Sequence, residues 1–240
     1  MLMAKRGGTK HLKRIASPKA VPVHDRKART WMTKHMPGPH PKRSSVPLGV
    51  LLRDVLKLAT TLREVRRILA RRLVQVDGKP RTEEKFPVGL MDVVDFPKSG
   101  KSYRMVVDAK GRIVPLEIGK EEASSKIVKV VGKCTIPGGK LTVSFHDGRN
   151  MLSDNHVKVG DSMVVSLPEA KMKSHLKRDK GCRCLVTEGK HVGSIVKLKD
   201  IMERKGGKPS EALVQGKSEE FITVAKYLFV VDESFKGEGG

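Results

Sequence analysis

The chain of 240 residues carries a formal net charge of +23 and 38% hydrophobic residues. That is enough for several small cores but not for one large one, and the charge opposes compaction unless a polyanion shares the protein's surroundings. No run of about 18 apolar residues is present to span a bilayer, no strong case occurs of the basic amphipathic helix with large apolar residues opposite that surface binding to a membrane requires, and the basic N-terminus lacks the apolar stretch of a secretory signal.

Nucleic acid is the partner such a charge calls for. Aromatic residues make up only 4% of the chain, with one Trp and two Tyr. Binders of single strands use aromatic platforms, so the expected mode is recognition of folded RNA by phosphate contacts and shape. Three cysteines are too few for a disulfide framework, and Cys182 and Cys184 are spaced by one residue, unlike a zinc knuckle. Neither a metal nor a cofactor is expected.

Residues 1–45 hold twelve Lys and Arg against the single acid Asp25, with five prolines and no apolar stripe. Such a segment is expected to stay disordered alone and to become an ordered basic arm on RNA. Its removal is expected to spare the fold of 46–235. At Pro47 the pattern changes: Leu48, Leu51, Leu52, Val55 and Leu56 predict a helix, with Pro47 suited to its first turn. Thr61-Leu-Arg-Glu64 is a capping box that opens a second helix. Leu62, Val65, Ile68, Leu69 and Leu73 lie on one side of it and Arg63, Arg66, Arg67 and Arg71 on the other. Asp77-Gly78 is a tight turn between strand-like runs, and Phe86–Phe96 returns to a small sheet.

From 98 to about 170 short strands and turns follow without helices, the pattern of a β-barrel or sandwich. Asp108-Ala-Lys-Gly111, Pro137-Gly-Gly139 and His146-Asp-Gly-Arg149 punctuate it. The stretch 171–235 places Gly181, Gly189 and Gly193 among short apolar strands, with Lys190 and His191 between the last two. Glycine there permits positive φ and close backbone approach to a phosphate. Residues 236–240 read as a frayed end.

The stretch 46–97 resembles the S-four-type RNA-binding domain, an αL-like fold, through Leu52-Arg53, the Thr61–Arg72 helix, Val74-Gln-Val-Asp-Gly-Lys79 and Val93-Val94. The resemblance implies that the outer face of the second helix meets RNA. Gly181-Cys-Arg-Cys-Leu-Val186 through Gly193-Ser-Ile-Val196 resembles a KOW motif. Together with His11-Leu-Lys-Arg-Ile-Ala-Ser-Pro18, Pro37-Gly-Pro-His40 and Phe86–Val93, these modules resemble the archaeal and eukaryotic e-type S-four family of small-subunit ribosomal proteins over about 4–235.

The expected architecture is therefore α+β and multidomain. It comprises a basic arm (1–45), an S-four-type domain (46–97), a central β-barrel-like domain (98–170) and a KOW-type small β-barrel (171–235). The expected role is structural, in the small ribosomal subunit in the cytoplasm. The partners are small-subunit rRNA and neighbouring ribosomal proteins, with no membrane and no homo-oligomer. An RNA-modifying enzyme is the rival reading, but no P-loop or HExxH string occurs, and Asp108 and Asp147 lie in turns, where Asp is ordinary. A transient RNA chaperone is the second rival. The candidate RNA contacts in the arm are Lys5, Arg6, Lys10, His11, Lys13, Arg14, Arg26, Lys27, Arg29, His40, Lys42 and Arg43. In the S-four-type unit they are Arg63, Arg66, Arg67, Arg71 and Lys79, and beyond it Arg149, Lys190 and His191.

Overall fold

The structure is a computed structural model that describes residues 9–153, 156–169, 171–204, 207–216, 219–233 and 235. Lys5, Arg6 and the end expected to fray over 236–240 lie outside the described residues.

The arm is folded. Strands β1 (Leu12–Lys13) and β2 (Trp31–Met32) pair antiparallel. Leu12, Ala20, Val21, Val23 and Met32 are buried in the same core as the S-four-type unit. The Ile113 amide donates to the Ala20 carbonyl at 2.8 Å, and the Met36 amide to Lys85 at 2.9 Å. The expectation that the arm stays disordered until RNA orders it is thus corrected for 9–44. Its apolar residues are too irregularly spaced to form a stripe, so each fills a site on the neighbouring unit instead.

Strand β3 (Ser45–Pro47) leads into the helical turn α1 (Leu48–Val50), which widens to a π turn over Leu51–Val55. Leu48, Leu51 and Leu52 are fully buried, as the apolar spacing required. Helix α2 (Leu62–Ala70) opens on the capping box, with the Glu64 amide donating to Thr61 Oγ1 and the Thr61 amide to Glu64 Oε2. Val65 and Leu69 face the core. The helix ends with Arg72 at φ 54, a left-handed conformation that glycine adopts more easily.

Strands β4 (Gln75–Val76) and β5 (Lys79–Pro80) flank Asp77 (φ 53) and Gly78 (φ 70), a turn with two positive φ values. Strand β6 (Pro87–Gly89) pairs with β3. Strands β7 (Val93–Phe96), β8 (Lys101–Val107) and β9 (Ile113–Ile118) complete a sheet of order β5-β4-β7-β8-β9. Phe96 pairs with Lys101, so the boundary expected at residue 97 falls inside a hairpin. The Pro97–Gly100 segment is its turn rather than a linker.

A single helical turn, α3 (Lys120–Ala123), interrupts this region, where the spacing predicts strands and turns alone. It joins the first sheet to a second, built from β10 (Ser125–Thr135), β11 (Leu141–Phe145), β12 (Asn150–Ser153), β13 (Ser162–Ser166) and β14 (Met172–Leu176). The order is β12-β11-β10-β13-β14. Strand β10 pairs with β13 through its first half and with β11 through its second, with a register shift between Val130 and Gly132. Val128, Val130, Val143, Phe145, Met163 and Val165 form its core.

The third sheet contains β15 (Arg183–Val186), β16 (Ile195–Met202), β17 (Glu211–Gln215), β18 (Glu220–Val224) and β19 (Leu228–Val230), in the order β18-β17-β16-β15-β19. Its core is Cys184, Val186, Val196, Leu198, Ala212, Val214 and Leu228, among others. Ile127, Leu185, Phe229 and Val231 leave these sheets to join the core of the first unit.

Candidate nucleic-acid interface

Helix α2 presents Arg63, Arg66, Arg67 and Arg71 to solvent, as its periodicity predicted. They are not equivalent. The Arg66 guanidinium grips Glu84 through Nε to Oε2 and through Nη2 to Oε1 at 2.8 Å. Glu84 is buried, and Arg66 is its counterion. Arg63, Arg67, Arg71 and the neighbouring Arg72 form no ion pair among the described residues, so their charge is available to a phosphate.

The arm divides the same way. Lys10, His11, Lys13, Lys27, Arg29, Lys42 and Arg43 are exposed. Arg26 is exposed but donates to the Ile15 carbonyl at 3.1 Å. Arg14 is buried: its Nε donates to the Asp25 carbonyl at 2.6 Å, and its Nη1 lies 3.6 Å from Asp54 Oδ2. His40 is buried too, and its Nε2 donates to Asp92 Oδ1 at 3.0 Å. A Cβ on Gly89 would come within 2.3 Å of the His40 ring, so glycine at 89 is what admits this histidine. Arg14 and His40 are structural ties, not surface contacts.

The remaining candidates are scattered. Lys79 and Lys190 are exposed. His191 stacks on Phe221 with centroids 3.9 Å apart. Gly181, Gly189 and Gly193 do take positive φ. Gly193, however, lies against the backbone of Asp108 and Ala109, where a Cβ would approach to 2.9 Å. Its closeness serves packing between sheets rather than a phosphate.

Arg149 belongs to a buried network that motif reading missed. Lys126 is completely buried, and its Nζ donates to Asp92 Oδ1 (2.6 Å), Asp77 Oδ2 (2.8 Å) and Asp147 Oδ2 (3.1 Å). Arg149 Nη2 donates to Asp77 at 2.6 Å. Burial opposes the charge on Lys126, but the three carboxylates outweigh it and raise its pKa. Burial likewise opposes ionisation of Asp92, and His40 and Lys126 together hold it well below the usual carboxylate range. Burial and the Asp92 charge push Asp77 the other way. The ammonium of Lys126 occupies the place a cation would take, and no His, Cys, Asp or Glu group suited to a metal occurs among the described residues. The available signal was weak: a lone Lys opening an apolar strand, and Asp residues that also read as turn formers.

Beside this network a cleft of about 900 Å³ opens between the arm and the sheets, lined in part by Arg43, Lys129, Arg178 and Phe229. Lys129 Nζ donates to the carbonyls of Lys226 (2.6 Å) and Leu228 (2.7 Å). Burial, with Arg178 nearby, pushes its pKa down to about 8.

Three family descriptions match along the chain: the RS4NT (NUC023) domain at residues 6–43, the S4 domain at 48–94 and ribosomal family S4e at 99–172. Small ribosomal subunit protein eS4 of Methanosphaera stadtmanae is 41% identical over 96% of this chain and 95% of its own length. The chain belongs to the eS4 family. The eS4 protein of Methanothermobacter thermautotrophicus is 42% identical over 97% of both chains. The crystal structure of the 30S ribosomal protein S4e from Thermoplasma acidophilum superposes with a TM-score of 0.69 at 38% identity, covering 80% of this chain and 96% of that one. The S4 domain of this eS4 chain thus includes α2 and its arginines, within a fold that is otherwise mostly β. The eS4 relatives are named as ribosomal proteins, not as enzymes.

Proposed function

We infer that the chain is a structural component of the small ribosomal subunit that holds folded rRNA through phosphate contacts. The observation that carries this reading is near-full-length similarity to proteins named small ribosomal subunit protein eS4. The charge of +23 supports it, as do Arg63, Arg67 and Arg71 on and just after α2, which form no ion pair among the described residues. The contact set is Lys10, His11, Lys13, Lys27, Arg29, Lys42, Arg43, Arg63, Arg67, Arg71, Lys79 and Lys190, with Arg66, Arg26, Arg149 and His191 partly committed to internal partners. The second and third sheets act as small β-barrels, the third of KOW type. The protein works as one copy per subunit in the cytoplasm, beside other ribosomal proteins.

Sedimentation of tagged protein through a high-salt gradient tests this. A structural component stays with the small subunit, whereas release to the top of the gradient would mark a transient factor.

A further inference from the structure

We propose that Trp31 is a stacking platform for one unpaired base of the bound RNA. The proposal rests on the rRNA-binding reading above and adds a second mode of contact to it. In the β1–β2 ribbon Leu12 pairs with Met32 and Lys13 with Trp31. Leu12 and Met32 are each 6% exposed and point into the core, while Trp31 is 57% exposed. Alternation along the strand therefore holds the indole outward, anchored by its buried neighbour. The His11 ring lies 5.7 Å from it at an interplanar angle of 57°. A single tilted ring leaves most of the indole uncovered, and Ile15 nearby in the chain is also exposed.

The surroundings select the occupant. Between residues 9 and 35 the chain has eight Lys and Arg against Asp25 alone. The Asp25 carboxylate already accepts from the amides of Lys27 (2.8 Å) and Ala28 (3.1 Å). Lys13 stands directly across the ribbon from Trp31, and Arg29 precedes Trp31 by two residues. An aromatic face flanked by cations suits a base with its own phosphates, since every base has a π-face and the charge beside it is negative. An apolar patch on another protein would have to bring matching acids.

Trp31 is the only tryptophan, so its fluorescence reports the site directly. Full-length protein is titrated with small-subunit rRNA from Methanothermobacter thermautotrophicus, and in parallel with single-stranded oligo(A) and a blunt RNA duplex. Quenching is expected with rRNA and oligo(A), and little with the duplex. Trp31→Ala should weaken rRNA binding roughly five- to hundredfold, while Trp31→Phe, which keeps a ring, should retain most of the affinity. Both variants should fold, because the side chain is exposed. Binding of rRNA without quenching, or equal affinity for Trp31→Ala, overturns the stacking and leaves the rRNA reading intact. Absence of any RNA binding overturns both. A fluorescence change seen only in the assembled subunit, and not with naked rRNA, marks a protein neighbour and also overturns the proposal.

Discussion

Lys126 Nζ lies 2.6 Å from Asp92 Oδ1, and the two residues are 34 apart in the chain. The lysine is the second residue of β10 in the second sheet. The aspartate precedes β7 in the first and also accepts from His40 of the arm. One buried ammonium therefore ties three parts of the chain together. Lys126→Met would leave Asp77, Asp92 and Asp147 facing one another with only Arg149 and His40 to offset them. Removing one partner of a buried ion pair costs about 3–5 kcal/mol, and the urea midpoint should fall accordingly. A midpoint within error of the parent would mean that the network contributes nothing to stability.

His146 makes stability depend on pH. Its Nδ1 accepts from the Lys129 amide at 3.1 Å, so Nε2 carries the hydrogen and donates to the Leu90 carbonyl at 3.1 Å. A second proton has no place. Burial, aided by the Lys126 and His40 charges, lowers its pKa from 6.5 to about 4. Between those values the unfolded chain binds more protons, so stability is lost as pH falls from 6.5 to about 4, by up to about 3 kcal/mol. Asp92 and Asp147 are also held low, and their contribution disappears at still lower pH. Asp77, pushed upward, opposes them. Denaturation midpoints measured across pH 4–7 should show the loss, and His146→Asn should flatten it.

The α2 arginines should separate by role. Arg63→Glu with Arg67→Glu should weaken rRNA binding and leave thermal unfolding unchanged. Each lost phosphate contact should also lower the slope of log affinity against log salt by roughly 0.9. Arg66→Glu should lower the melting temperature instead, because buried Glu84 loses its counterion and gains a like charge. If the two variants behaved alike, the distinction drawn from the Glu84 pair would fail.

Deleting residues 1–35 should destabilise the protein even without RNA. Leu12, Val21, Val23 and Met32 are buried in the main core, and each such side chain contributes roughly 1.5–3 kcal/mol. A drop in melting temperature of more than about 10 °C follows for a chain of this size. An unchanged melting temperature with failed subunit incorporation would instead fit an arm that orders only on RNA.

Arg72 sits at φ 54 after α2. Arg72→Gly should raise stability by about 1 kcal/mol through relief of the left-handed conformation, while slightly weakening RNA binding by loss of one charge. Paired melts and salt-dependent binding curves read the two effects apart.

Local chemistry made much of the molecule legible before folding. The Thr61–Glu64 capping box, the Asp77-Gly78 turn, the apolar side of α2 and the turn-rich strands all appear where residue spacing put them, because each depends on neighbours a few positions away. The charge and the motif order pointed to the family for the same reason. Tertiary structure alone decided which charges remain free. Arg66 and Glu84 are 18 residues apart, His40 and Asp92 are 52 apart, and Lys126 and Asp77 are 49 apart. Buried charges must find counterions, and no local pattern says which distant strand will supply one. The arm followed the same rule. Its five buried apolar side chains have no face of their own, so only the packed S4 domain could turn Leu12 and Met32 inward and leave Trp31 outside.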